Sequence, residues 1–477
     1  MPSLTRALLD HFLGMAGLRV LKAGQLILLA NLFGPDRIGP YQAFILVVGL
    51  GQAVLPNPTA TFLARAPEVR EDDVGASLLG GLALGIVQAA IFALFLFLDL
   101  GPGVAARSDP DHLILGVVSL VAVSSIGLEG LWDRAQDFRT PKLFELVAIL
   151  LGTGAALLVL QRPYALALGY AVTQVTRSVL ILARLPGGIR LRTSRAAFGR
   201  QMAFSGPLVL AGWSGYIANQ GDDVVVAHLL GAGALAFYTM AFYIPAMVGE
   251  ITGLVVRPLV PAFQGARDRR ELRSQFQGFN DLVALLSVTA GLGLFLMGDL
   301  VLPFLLGEDW VPAMPYLRVF AILFAVRAAT GMGWSALAAV REKTRYLMLV
   351  SWATAGFMVL VGWPLIARWG LWGGVIYNGL QLSVMGPLVR LPVIREVLGD
   401  YRTLVGGVKI LFLGAVAGLI GELGRTWISP WVGALVGMGG LGILLAPSVR
   451  EAWESNPLFA WGGKKEREDG PSSPDTR

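Results

Sequence analysis

Long apolar segments recur along the whole chain and are separated by short polar segments. A window of about 19 residues identifies such segments as candidate transmembrane helices, because about 20 apolar residues span the hydrocarbon core of a bilayer. This pattern predicts fourteen spans. Their approximate limits are residues 10–33, 38–62, 75–99, 112–132, 143–161, 164–183, 203–229, 235–262, 279–305, 313–339, 346–367, 370–389, 404–422 and 430–447.

The composition supports a membrane protein. Hydrophobic residues make up 55% of the chain and charged residues only 15%, with a mean hydropathy of +0.66. A soluble protein of this length carries about 25% charged residues. The 60 glycines fit the same interpretation, because small residues allow transmembrane helices to approach closely. The fold class predicted here is an all-α polytopic membrane protein, without a soluble domain.

Basic residues concentrate in alternate loops. With a cytoplasmic N-terminus, 26 Lys and Arg residues fall on the cytoplasmic side and five on the opposite side. This asymmetry predicts that both termini are cytoplasmic and that the number of crossings is even. Basic loops also account for the net charge of +6, so no nucleic-acid partner is expected.

Short matches indicate two parallel repeats in the chain. The segment ANLFGPDRIGPY around Gly34 aligns with AHLLGAGALAFY around Gly231, which lies after six further predicted spans. Both segments keep the same orientation, so the repeats would be related by an axis along the membrane normal. Two later pairs align in the same order, Thr140 with Thr344 and Gly169 with Gly373.

The repeats predict a division of the chain into two six-helix bundles and a C-terminal extension. The expected parts are a first lobe over residues 1–200, a second lobe over 201–400, two additional transmembrane helices over 401–449 and a disordered cytoplasmic tail over 450–477.

The residue types available exclude several kinds of chemistry. The chain contains no cysteine and three histidines, which excludes disulfides and thiolate sites and leaves few metal ligands. It contains no phosphate-binding loop of the type G-x-x-x-x-G-K-[ST]. We therefore expect no metal, no cofactor and no catalytic residues, and any energy source lies elsewhere.

Ionisable residues inside the predicted spans are the best functional signal, because such residues usually face a protein interior or a water-filled cavity. Arg19, Lys22 and Gln25 recur every three residues on one face of the first span, and Gln174 and Arg177 share a face of the sixth. Together they would give the first lobe a cationic inner surface. The alternative is that Arg19 and Lys22 extend to the cytoplasmic headgroups.

The second lobe carries acidic and polar residues at depth. The seventh span contains Asn219, Gln220, Asp222 and Asp223, and the eighth contains Tyr243, Glu250 and Arg257 at heptad spacing. Carboxylates at this depth are neutralised by protonation, by a bound sodium ion, or by pairing with a cation. The cations available for pairing are Arg257, Lys22 and Arg327.

Four other charged residues are weaker candidates. Glu129, Glu145 and Lys409 lie close to the predicted cytoplasmic ends of their spans. Arg318 lies at an outer helix end, where we expect its side chain to extend to the headgroups.

Two segments carry a resemblance to a known family. The run DDVVVAHLLGAGALAFYTMAF places Asp222, Gly231, Tyr238 and Ala241 at a characteristic spacing, and LLGEDWVPAMPYLRVFAILF follows later. These segments resemble the Wzx-type oligosaccharide flippases, which belong to the superfamily that also contains the multidrug and toxic-compound (MATE) exporters. The resemblance extends over at least the first twelve predicted spans.

The resemblance implies two six-helix bundles around a central cavity that opens alternately to the two sides of a bacterial cytoplasmic membrane. It implies transport, without catalysis, of undecaprenyl-pyrophosphate-linked oligosaccharides for exopolysaccharide, O-antigen or lipopolysaccharide synthesis. Cations would bind the pyrophosphate and polar side chains the sugar hydroxyls. The candidate cavity residues are Arg19, Lys22, Gln25, Gln174, Arg177, Asn219, Gln220, Tyr243, Arg257 and Asn378, and the candidate ion-coupling or charge-pair residues are Asp222, Asp223 and Glu250.

The expected partners are the lipid-linked oligosaccharide, membrane lipids, a polysaccharide polymerase and a chain-length regulator, and the chain is expected to act as a monomer. Coupling to a proton or sodium gradient stays open.

One alternative function is a cation-coupled drug exporter, although a basic first lobe favours anionic cargo. A second is a membrane polymerase or ligase, which the short outer loops disfavour. Flipping of a peptidoglycan precursor is a third.

Overall fold

The computed structural model describes residues 4–54, 59–60, 62–63, 69–97, 110–135, 137, 139–185, 192–254, 263, 268–331, 333–334, 337–338 and 344–455. Within these ranges the chain is almost entirely helical and contains no β-strand. The predicted all-α class is therefore confirmed.

Most helices of the first half follow single predicted spans, whereas the first helix covers the first two spans and is interrupted by the non-helical conformation of Gly34. The span predicted over 112–132 is not continuous, because a 3₁₀ turn at Ile126–Glu129 separates two helices. The helices are α1 (Leu4–Val54), α2 (Glu71–Phe97), α3 (Pro110–Val123), α4 (Gly130–Arg134), α5 (Arg139–Leu158), α6 (Ala165–Ala183) and α7 (Arg195–Leu230).

The second half contains more interruptions. Two π-helical segments, Met358–Gly362 and Gln381–Met385, and two 3₁₀ turns, Glu308–Ala313 and Arg402–Leu404, lie between α-helices. The helices are α8 (Ala232–Leu254), α9 (Arg269–Leu306), α10 (Met314–Ala329), α11 (Thr344–Phe357), α12 (Trp363–Trp369), α13 (Leu371–Leu380), α14 (Gly386–Leu398), α15 (Val405–Trp427) and α16 (Pro430–Ser455).

Many of these helices have the length and apolar composition of membrane-spanning helices. Among the described residues, eight helical stretches are long and apolar enough to cross a membrane, and two shorter apolar stretches accompany them. The protein is therefore a multi-pass membrane protein. The count of fourteen crossings and the cytoplasmic position of both termini stay predictions. Helix α16 continues past residue 450, where the tail was predicted to begin, and residues 456–477 lie outside the described ranges.

The two glycines that anchor the proposed repeat adopt matching conformations. Gly34 has φ 67° and ψ 174°, and Gly231 has φ 88° and ψ 173°. Side chains other than hydrogen are strained in this region, so glycine is favoured at both positions. Each glycine lies between two helical segments. Their shared geometry agrees with the sequence alignment of the two turns.

The other aligned glycine pair marks close helix packing. A Cβ atom on Gly169 of α6 would lie 2.7 Å from the carbonyl oxygen of Gly152 in α5. A Cβ atom on Gly373 of α13 would lie 2.0 Å from the carbonyl oxygen of Leu365 in α12. Only glycine allows the backbones to approach this closely in either hairpin.

Packing divides the chain into two compact units that are not contiguous in sequence. Each has its own hydrophobic core, around Phe44 and Leu120 in the first unit and around Phe276 and Phe279 in the second. The lobe limits predicted at residues 200 and 400 stay predictions. Unit 1 comprises Met1–Tyr243, Leu302–Tyr316 and Met348–Tyr377, and unit 2 comprises Ile244–Val301, Leu317–Leu347 and Asn378–Arg477.

We predict that Gly152→Leu disrupts the α5–α6 hairpin. A Cβ atom at Gly152 would lie 2.0 Å from the Thr173 hydroxyl oxygen, so the added side chain overpacks the interface. The free energy of unfolding should fall by about 1–3 kcal/mol, measured by thermal unfolding in detergent. Gly154→Leu on the same helix meets nothing within 4 Å and is the matched control. Equal losses in the two variants would contradict the packing argument.

Candidate functional site

The predicted cations of unit 1 belong to a charge network that joins α1, α5, α6 and the 3₁₀ turn before α4. The Lys22 ammonium lies 2.5 Å from Glu145 Oε1. Arg177 donates two hydrogen bonds to Glu129, from Nε to Oε1 at 2.7 Å and from Nη2 to Oε2 at 2.8 Å. Its Nη2 also lies 3.8 Å from Glu145 Oε2, and the Lys142 ammonium lies 3.5 Å from the same oxygen.

Burial differs sharply across this network. The Glu145 side chain is 8% exposed and that of Arg177 is 18% exposed, whereas that of Lys22 is 52% exposed. Three cations meet two carboxylates, so one positive charge is in excess. Lys22 is therefore the most exposed member of the network.

Helix geometry explains how α1 contacts α5. Lys22 and Gln25 are three residues apart and therefore share a helix face. Along the facing helix, Glu145 and Thr153 are two turns apart. The Gln25 amide donates to Thr153 Oγ1 at 2.8 Å, while Lys22 binds Glu145. Two polar contacts thus fix the register of α1 against α5.

The structure brings Lys22, Gln25 and Arg177 into one network, but it also corrects the sequence interpretation. Glu129 and Glu145, which their positions near helix ends made weak candidates, are the partners of the cations. The inner surface is therefore not simply cationic. An arginine inside a membrane is stabilised by a nearby carboxylate, and this tendency is the signal that could have identified both glutamates.

Two further predicted residues lie on the same helices. Arg19, one turn before Lys22 on α1, is partly exposed. Gln174, one turn before Arg177 on α6, is buried at 8% exposure. Their proposed contacts with cargo stay predictions.

The acidic pair of α7 is buried next to a tyrosine. Asp222 and Asp223 are 6% and 5% exposed, and the Tyr238 hydroxyl donates to Asp222 Oδ2 at 2.6 Å. Gly374 makes room for Tyr238, because a Cβ atom there would lie 2.7 Å from the tyrosine ring. Asp222 and Tyr238, which both belong to the sequence motif, are thus joined by a hydrogen bond across the turn at Gly231. Lys22, one proposed partner of this pair, binds Glu145 instead.

The remaining predicted cavity residues have different environments. Asn219 is exposed and donates to the Gly215 carbonyl of its own helix at 2.6 Å. Gln220 and Tyr243 are partly exposed, and Asn378 is buried in unit 2.

Two candidates cannot be placed: Arg257 and the side chain of Glu250 lie outside the described residues. Within the described ranges, no three His, Asp or Glu side chains cluster in a way that could hold a metal ion. The expectations of no metal and no cofactor stay predictions.

A second charge network in unit 2 corrects the interpretation of Arg318. Its Nε donates to the Phe295 carbonyl at 3.0 Å, and its Nη2 lies 3.4 Å from Glu422 and 3.7 Å from Asp299. Arg425 binds both of these carboxylates. Two cations and two carboxylates therefore join α9, α10 and α15, and Arg318 is paired with protein groups.

We predict that the two cations bound to the unit 1 glutamates differ in their effect on stability. Arg177→Met leaves the largely buried Glu129 carboxylate uncompensated and should lower the free energy of unfolding by about 3 kcal/mol. Lys22→Met should change it by less than about 1 kcal/mol, because exposed pairs contribute little. Chemical unfolding in detergent measures both values. Arg184→Met, at an exposed position just after α6, is the control, and an equal effect of Arg177→Met and this control would contradict the network.

Comparison with known proteins identifies the family. Residues 28–315, well over half of the chain, match the family described as polysaccharide biosynthesis protein. Lipopolysaccharide biosynthesis protein WzxC of Escherichia coli (strain K12) is 24% identical over 315 residues. That alignment covers 64% of this chain and 63% of the relative, which is less than two thirds of its length.

Solved structures show the fold. Lipid II flippase MurJ in an inward closed conformation gives a TM-score of 0.66 at 14% identity, over 92% of this chain and 99% of that one. An inward-facing MATE family transporter of the MOP superfamily gives 0.61 at 16% identity, over 80% and 94%. These matches confirm the resemblance drawn from the sequence. The chain is a member of the polysaccharide biosynthesis protein family and has the fold shared by MATE transporters and MurJ.

Proposed function

We propose that this protein is a flippase for a lipid-linked oligosaccharide. Its cargo would be carried on undecaprenyl pyrophosphate and moved from the cytoplasmic to the periplasmic leaflet of a bacterial cytoplasmic membrane for exopolysaccharide, O-antigen or lipopolysaccharide synthesis. One observation carries the proposal: the half-exposed Lys22 side chain at the edge of a charge network whose other members are less exposed. The family and the name of its relative, a lipopolysaccharide biosynthesis protein, support it.

Lys22 is suited to bind a pyrophosphate. A phosphate that leaves the headgroup region loses hydration and requires cationic partners. When Lys22 turns from Glu145 to a phosphate, Arg177 and Lys142 remain near the Glu145 carboxylate. The exchange therefore does not leave a buried negative charge without compensation, and its energetic cost stays small.

Arg177 has a different part in this proposal. Both of its strong hydrogen bonds go to Glu129, and its side chain is largely buried. Arg177 would therefore position the carboxylates and leave phosphate binding to Lys22 and the partly exposed Arg19. Asn219, Gln220 and Tyr243, which are at least partly exposed, would contribute hydrogen bonds to sugar hydroxyls.

The transport cycle would be alternating access without covalent chemistry. Asp222 and Asp223 are neighbouring buried carboxylates, and such groups take up a proton or a cation when they leave water. We propose that they couple the cycle to a proton or sodium gradient, with Asp223 as the main ion-binding group because Asp222 accepts the Tyr238 hydrogen bond. The termini would be cytoplasmic, the protein monomeric, and a polymerase and a chain-length regulator its partners.

We predict that Lys22→Gln slows flipping by about tenfold or more, as expected for loss of a charge-assisted contact of about 1.5–3 kcal/mol. The measurement is transfer of a polyprenyl-diphosphate oligosaccharide between leaflets of proteoliposomes. Lys22→Arg should retain most of the rate because it keeps the charge.

Arg184→Gln is the matched control, since it removes a positive charge at an exposed position just after α6, outside the charge network. Equal amounts of folded protein in the vesicles exclude a stability effect. Full activity of Lys22→Gln would remove the cationic contact from the proposal.

We predict that Asp223→Asn abolishes the response of flipping to an imposed gradient. An amide can neither release a proton nor bind sodium as a carboxylate does, so the rate should be the same with and without the gradient. Proteoliposomes with a pH or sodium difference measure this response. Asp36→Asn, at an exposed carboxylate beside the Gly34 turn, is the control. A wild-type response in Asp223→Asn would exclude this residue from coupling.

A further inference from the structure

Unit 2 contains a pair of arginines near the ends of two helices. Arg327 lies in the last turn of α10, and its guanidinium carbon is 5.9 Å from the centre of the Phe324 ring. Arg390 lies in α14 and is only 7% exposed. Its Nη1 donates to the Arg327 carbonyl at 3.3 Å and to Thr330 Oγ1 at 3.2 Å.

Among the described residues these two arginines have no carboxylate partner, in contrast to the largely buried Arg177 and Arg318. Arg177 and Arg318 each form ion pairs with glutamate or aspartate. Within the described part of the chain, the contacts of Arg327 and Arg390 are with an aromatic ring, a carbonyl and a hydroxyl group, and no Asp or Glu forms an ion pair with either residue. A charge removed from water is unfavourable without a counter-ion, and this applies most to Arg390. Among the described residues, the arrangement therefore lacks a negative partner.

The local backbone accommodates the Arg390 guanidinium. A Cβ atom at Gly386, one turn earlier, would lie 3.1 Å from Arg390 Nη2, so glycine provides the space. The π-helical segment Gln381–Met385 directly precedes this glycine, and such segments occur often at functional sites. Only Nη1 of Arg390 has a hydrogen-bond partner among the described residues, which leaves Nε and Nη2 available to a ligand.

A purely structural role explains only part of this geometry. Arg390 Nη1 satisfies a carbonyl at the C-terminal end of α10, where the helix dipole also favours a cation. That role uses one of the three guanidinium nitrogens of Arg390. The Arg327 guanidinium, which carries the second charge, takes no part in that role and is partly exposed.

We propose that Arg327 and Arg390 form a binding site for a phosphate group. Two guanidinium groups match a phosphate in charge and in the geometry of paired hydrogen bonds. The phosphate could come from the headgroup of an anionic membrane lipid or from free phosphate. The inference does not depend on the proposed function, because it involves neither the cargo nor its direction of transport.

Binding to the purified full-length protein in detergent tests this site. Phosphatidylglycerol and inorganic phosphate are titrated separately, with bound lipid counted by native mass spectrometry and phosphate binding followed by the shift in unfolding temperature. Arg327→Gln should weaken binding by about tenfold, as expected for loss of one charge-assisted contact. Arg395→Gln, at an exposed arginine of the same helix as Arg390, should bind like wild type.

Two outcomes support the site and identify its ligand. Binding of phosphatidylglycerol alone indicates a lipid headgroup, and binding of both probes indicates the phosphate group itself. Failure of wild type to bind either probe overturns the proposal, as does wild-type affinity in Arg327→Gln. Should that variant not fold, Arg327→Lys replaces it. Lysine keeps the charge but loses the paired donors, so weaker binding is expected and unchanged affinity contradicts the site.

Discussion

Every ionised side chain inside a bilayer needs a partner, because an unpaired charge there is unfavourable by about 2.5–3.5 kcal/mol on insertion scales. This constraint organises both units of the protein. In unit 1, Glu129 and Glu145 neutralise Arg177 and hold Lys22 at their exposed edge. In unit 2, Asp299 and Glu422 bind Arg318 and Arg425. Helices far apart in sequence are joined by these pairs.

The constraint also separates structural charges from functional ones. A charge that is buried and balanced, such as Arg177, stabilises helix packing. In the proposed function, a charge that is exposed at the edge of a network, such as Lys22, exchanges its protein partner for a ligand. The Arg327 and Arg390 pair is a third case, because Arg390 is buried and the pair has no balancing carboxylate among the described residues.

Much of the fold could be predicted from sequence, since it depends on local signals. Hydropathy located the helices, and the aligned glycines Gly34 and Gly231 indicated two turns with the same backbone conformation. The shared face of Lys22 and Gln25 follows from helix periodicity, and the structure places both against α5. Each of these inferences concerns neighbours along one helix or one turn.

The partners of the charges could not be predicted in the same way. A hydropathy scan measures position along a single span, so Glu129 and Glu145 looked peripheral, although the packing of α5 and the 3₁₀ turn brings them to the cations. Arg318 looked like a headgroup contact for the same reason. In the sequence, the motif residues Asp222 and Tyr238 mark a family resemblance, and only the three-dimensional structure shows their hydrogen bond across the Gly231 turn.

The most direct test of the central claim is leaflet transfer by the wild-type protein in proteoliposomes. The same oligosaccharide is supplied on a polyprenyl diphosphate and on an uncharged polyprenyl carrier, with protein-free vesicles as the baseline. Recognition of the phosphate by exposed cations predicts faster transfer of the diphosphate-linked sugar, by about tenfold or more. Equal rates for the two carriers, or no transfer above the baseline, would contradict it.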